Sequence, residues 1–84
     1  MALKTLLVIP ILDATWRRDF ELTIPPFVGL GIRLDVYEMV NVESVVVGDF
    51  GYDVTCIVSV EGVKREDVTE KLLLRLGFEK GVYI

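Results

Sequence analysis

The spacing of apolar side chains changes once along this chain, near residue 62, and that single change limits what it can fold into. Up to that point β-branched and aromatic residues fall in short runs separated by Gly, Pro, Asn and Asp, which is the pattern of a strand-rich antiparallel region. Alternation is cleanest from Val28 to Glu38, where Leu30, Ile32, Leu34 and Val36 alternate with Gly31, Arg33, Asp35 and Tyr37. A strand there buries one face and wets the other. Beyond Lys64 the apolar positions are Val68, Leu72, Leu73 and Leu76, a helical stripe. Glu66, Asp67 and Glu70 precede Lys71 and Arg75 along it, the order that the helix dipole favours. Gly77 then suits the left-handed position after a helix, with Phe78 placed to pack back on Leu73.

The strand-rich part divides further. Residues 3–12 read as a first strand, although Pro10 argues for a sheet edge or a kink at that point. The same run invites a signal-peptide reading; its apolar part is short, Pro10 interrupts it and no clear small-residue cleavage site follows, so a buried strand is the expectation. Asp13-Ala14-Thr15 reads as a turn and Trp16 to Ile24 as a second strand, with Phe20, Leu22 and Ile24 on one side and Asp19, Glu21 and Thr23 on the other. Pro25-Pro26 ends it, since neither can donate a ladder hydrogen bond. The third strand is Val28–Glu38. Residues 42–47 and 53–61 form a hairpin through Gly48-Asp49-Phe50-Gly51-Tyr52, with Val54, Cys56, Val58 and Val60 inward. Val45-Val46-Val47 breaks alternation, so that strand is covered on both faces or carries a bulge. Gly81 to Ile84 reads as a short terminal strand.

The expected fold is therefore α+β, mostly β: one domain over residues 1–84, strand-rich over 1–62, with a helix over about 64–76 and a strand over about 81–84. Five or six strands form a small curved antiparallel sheet or an SH3-like barrel, and the helix covers one face or open end.

Composition narrows the function. The chain has 84 residues, no histidine and one cysteine. The commonest general base and the commonest zinc ligand are thus missing, and no zinc site can be built from Cys and His within one chain. Cys56, on an inward strand position, reads as a small buried filler. Asp49 and Asp53 flank the hairpin glycines but lack the ligand alternation of a calcium loop. Asp49-Phe50-Gly51 matches the kinase magnesium triplet without its context, and Gly29-Leu30-Gly31 introduces a strand, whereas a dinucleotide fingerprint opens a helix. No enzyme, metal site or cofactor is expected. Net charge is −4, and between residues 26 and 62 Arg33 stands alone against six carboxylates. Nucleic acid, which needs clustered Lys and Arg, is not an expected partner. No run approaches the roughly 20 apolar residues of a membrane helix, and a cytoplasmic protein is expected.

What remains is surface. Apolar residues make up 52% of the chain, above the usual range of about 45–50%. A domain of this size buries only roughly 60–65% of its unfolded surface, so a homo-oligomer, with a dimer favoured, is expected. Val45, Val47, Ile57 and Leu74 are its candidate interface residues, because each adds apolar surface beyond what one buried face requires. Trp16, Arg17 and Arg18, with Phe50 and Tyr52, form a candidate protein-interaction surface of residue types enriched at hot spots. The reading is a non-enzymatic interaction module, with a carrier of a small apolar ligand as its alternative.

Overall fold

The computed structural model describes residues 2–11, 14–36, 38–47 and 51–81. They form one open six-stranded sheet with a short helix on one face. In chain order the strands are β1 (Leu3–Ile11), β2 (Ala14–Leu22), β3 (Gly31–Arg33), β4 (Met39–Val47), β5 (Val54–Val60) and β6 (Glu79–Gly81), with α1 (Glu70–Arg75) between the last two. Their spatial order is β3-β4-β5-β1-β2-β6. The pairs β1/β2, β2/β6, β3/β4 and β4/β5 are antiparallel, while β1 and β5 run parallel.

Two expectations are corrected by this topology. The sheet is mixed instead of purely antiparallel, because β5 returns beside β1 after the chain has crossed to the far edge. It is also open, not a barrel: its edge strands, β3 and β6, have three residues each and four strands lie between them.

Register sorts the side chains. Thr5, Leu7 and Ile9 of β1 stand opposite Phe20, Arg18 and Trp16 of β2, and Val54 and Cys56 of β5 lie beside Thr5 and Leu7. Directly paired residues share a face, so this row forms the inner face, onto which α1 packs. Trp16, Phe78, Leu7 and Leu73 are its largest fully buried side chains. Val54, Cys56, Val58 and Val60 all point inward and are buried, as their alternation requires. On β4 the register shifts between Val42 and Ser44, upstream of the valine run, while Val45, Val46 and Val47 pair in regular alternation with Cys56, Thr55 and Val54.

The strand expected over Val28–Glu38 is mostly not a strand. The ladder with β4 covers Gly31–Arg33, and just before it Gly29 N–H donates to Val42 C=O and Leu30 C=O accepts from Val42 N–H. The N–H groups of Leu34 and Asp35 both donate to the Glu38 carbonyl, and Glu38 N–H donates to Asp35 Oδ1. An aspartate carboxylate that accepts a nearby backbone N–H favours a turn over continued strand. The chain therefore reverses where period 2 alone predicts continuation, and Val36 is left 74% exposed.

The helix is likewise shorter than expected over residues 64–76. A 3₁₀ turn occupies Arg65–Asp67, Val68 is extended, and α1 begins after Thr69, whose side-chain oxygen accepts from Leu72 N–H. Two adjacent β-branched residues make this a poor helix interior, and Thr69 is a good cap. The break lets Val68 enter the core alongside Leu73 and Leu76. The end follows the sequence: Gly77 has φ of 86°, Phe78 N–H donates to Leu73 C=O and Gly77 N–H to Leu74 C=O, the two bonds of a Schellman cap. A Cβ at Gly77 would also lie 3.0 Å from Arg18 Nε. The last strand is Glu79–Gly81, with residues 82–84 outside the described set.

Helix coverage is testable by paired substitutions. Leu73→Ala should cost about 2–5 kcal/mol in denaturant unfolding, while Leu74→Ala, on the outward side of the same helix, should change stability by less than about 0.5 kcal/mol. Gly77→Ala should cost about 1–2 kcal/mol, from left-handed strain added to the Arg18 contact.

Candidate interaction surfaces

Strand alternation separates the aromatic–arginine cluster. Trp16 is 1% exposed and lies on the inner face, so it belongs to the core and offers nothing to a partner. Arg17 is exposed on the opposite, outer face, while Arg18 is half-buried on the inner face, its guanidinium 5.7 Å from the Phe20 ring. Phe50 lies outside the described residues, as do Asp49 and Tyr37.

Tyr52 is the member of the cluster with a defined outer-face role. It precedes β5, yet its hydroxyl donates to Asp19 Oδ1 of β2 at 2.5 Å, so the side chain crosses β1. Lys4 Nζ stands 5.0 Å from the ring centroid. Asp53 secures this end: its carboxylate accepts from Lys4 N–H and its own N–H donates to Lys4 C=O, both at 2.8 Å. The bond to Asp19 is the main cause that raises the Tyr52 phenol above its ordinary pKa; partial burial and the Asp19 charge add to it and Arg17 opposes.

The four candidate interface residues fall on three different surfaces. Val45 packs against the core from the inner face. Val47 is on that face too, but at the far end of β4, where it is 78% exposed. Leu74 is exposed on the back of α1. Ile57 alone lies on the outer face, beside Val8 in the β1/β5 ladder. Leu6 and Val8 of β1, Thr55 and Ile57 of β5, and Val46 of β4 share that side by register. Of these five, Leu6 is 3% exposed, Val8, Thr55 and Ile57 are half-buried, and Val46 is exposed. These outer positions are legible in hindsight: Leu6-Leu7-Val8-Ile9 is apolar without interruption, the mark of a strand covered on both faces.

A second feature lies where β1 and β5 part. Lys4 bonds toward β5, and alternation gives Leu6, Val8 and Pro10 the same direction. The ladder ends at the pair Val8–Ile57, because Pro10 has no N–H with which to continue it. Arg65 Nη2 instead donates to the Pro10 carbonyl at 2.6 Å. This is how a proline sits within a central strand, not at the sheet edge expected for it. The strands splay beyond it, leaving a cleft of about 290 Å³ with Ile9, Ile11, Ile57, Val60, Val63 and Val68 in its walls and Glu43 and Arg65 at its polar positions.

Among the described residues, no three Asp, Glu or Cys side chains converge as a metal site, and no helix is long and apolar enough to cross a membrane. Cys56 is fully buried and its thiol is raised by burial. Comparison of the chain with protein-family models, with curated proteins and with solved structures finds no match.

The Tyr52–Asp19 bond has a pH signature. A phenol held protonated by a carboxylate stabilises the fold fully below the ordinary tyrosine pKa of about 10, and that contribution is lost as pH rises through the raised folded value. Asp19→Asn should return the Tyr52 titration toward about 10, read from its ring resonances by NMR. Cys56 should resist a thiol reagent in the folded protein and react at the rate of unfolding.

Proposed function

We propose that this chain is a non-enzymatic protein-interaction module that works as a homodimer, joined through the outer face of its sheet. The observation that carries the reading is the apolar row Val8, Ile57 and Val46 on a face over which the described residues place no second layer; Leu6 on the same face is already buried, and Val8 and Ile57 are half-buried. Val46 is 45% exposed. A sheet stabilises by burying a face, and a second sheet packed about 10 Å away is the common way to cover one. The molecule measures 34 × 31 × 19 Å, so its broad side is large enough for the roughly 800 Å² per partner of a standard interface. Lys4, Arg17, Asp19 and Glu43 around the row supply both signs of charge, as an interface rim does.

The alternative reading, a carrier of a small apolar ligand, rests on the cleft beside Pro10. Its aliphatic walls and two charged side chains match the usual composition of ligand pockets, and its size is at the lower end of their range.

Light scattering behind size exclusion, over a series of loading concentrations, tests the first reading. The wild-type chain should run at twice its monomer mass, and Ile57→Glu should run as a folded monomer. Leu74→Glu should leave the mass unchanged. A wild-type monomer at high micromolar concentration would overturn the dimer.

A further inference from the structure

We propose that the open segment of β2, Arg18–Leu22, accepts an extended segment of another protein as an added strand, with basic side chains on the outer face and apolar ones on the inner. The lane beside β2 is half filled. β6 occupies it from Thr15 to Arg17, and among the described residues no strand flanks the rest of β2 on that side. Lys4 bonds toward β5, so its partner across the hairpin, Glu21, directs its N–H and C=O away from β1 and into the empty lane. Asp19 does the same by alternation, as Arg17 does where it pairs with Glu79 of β6. These are unpaired main-chain donors and acceptors of the kind that strand addition uses.

The lane has a hollow at each end. Phe20 to Ile24 on one side and Leu30 to Arg33 on the other line a cleft of about 320 Å³, whose apolar walls suit every second side chain of an added strand. Toward β6 a more polar hollow of about 310 Å³ is lined by residues of both faces, Leu6, Arg17, Arg18, Asp19, Gly77 and Glu79. Arg18 Nη1 in its wall is buried without a hydrogen-bond partner, a donor that an incoming carbonyl satisfies.

Charge selects the occupant. Arg17 lies directly across from Glu79, leaving Asp19 and Glu21 as the outer side chains of the open segment. Lys4, opposite Glu21, holds its amine over Tyr52. A second copy is disfavoured: antiparallel pairing of two such edges about Phe20 sets Asp19 against Glu21 twice, and like charges directly opposite destabilise a sheet. A foreign strand with Lys or Arg at those positions meets Glu21, with Arg33 in the same cleft wall, and Asp19, whose carboxylate also accepts from Tyr52. Leu6, Arg17 and Asp19 border both this surface and the row around Ile57, so the Ile57→Glu background is used to read strand addition apart from the dimer.

The test uses the full chain carrying Ile57→Glu and a fluorescent, acetylated peptide of alternating Lys and Val, with a Glu–Val peptide as control. The Lys–Val peptide should bind at least about tenfold more tightly, since two cross-strand pairs change from repulsive to attractive. Its binding should slow hydrogen exchange at the Asp19 and Glu21 amides of this protein. Glu21→Gln should weaken binding about threefold by removing one charge, whereas Glu21→Pro, which deletes a lane-facing N–H and spares the β1/β2 ladder, should abolish it. The proposal is overturned by absence of binding at millimolar peptide, by binding without protection of those two amides, or by equal affinity for the two peptides. The protection measurement needs no variant at position 21, so misfolding of Glu21→Pro leaves the test intact.

Discussion

β1 pairs on both sides, antiparallel with β2 and parallel with β5, and the rest of the molecule follows from that double pairing. A strand with neighbours on both sides spends its main-chain bonds within the sheet, so its two rows of side chains must find cover separately. The inner row, Thr5, Leu7 and Ile9, is buried beneath α1 and the segments around it. The outer row receives one aromatic crossing, from Tyr52 to Asp19, and no helix. Among the described residues α1 is the one α-helix and it lies on the inner face, so on the outer face Leu6 is buried while Val8 and Ile57 stay half-buried and Val46 exposed.

Pro10 sets the limit of that pairing. Its missing N–H stops the parallel ladder and opens the cleft near Glu43, while Arg65 satisfies the proline carbonyl from outside the sheet. A single ring therefore links sheet geometry, the position of the 3₁₀ turn and a cleft with mostly aliphatic walls. The other edge feature, the half-filled lane beside β2, arises from the brevity of β6: the Schellman cap at Gly77 delivers Phe78 into the core, and the strand that follows begins only at Glu79.

Much of the candidate surface was illegible in the sequence, for particular reasons. Trp16 and Arg17 are neighbours in the chain, but strand alternation sends one into the core and the other to the outer face. Ile57 and Leu74 both add apolar surface to their elements, yet one is on the sheet and the other on the back of the helix that lies across it. The run Leu6–Ile9 is apolar on both faces of its strand, while its partner row on β5 depends on a parallel register between segments almost fifty residues apart. No local pattern encodes such a register.

The sequence by itself determined the alternation that makes the inner face, the inward set Val54, Cys56, Val58 and Val60, and the glycine-capped end of α1. Each depends on side chains or backbone preferences within a few residues, where sterics and local hydrogen bonds decide. Tertiary structure decided strand order, the parallel β1/β5 pair, the open edges, the Asp35–Glu38 reversal and the crossing of Tyr52. These depend on which distant segments come to share main-chain hydrogen bonds and apolar cover, and that competition is settled only when the whole sheet assembles.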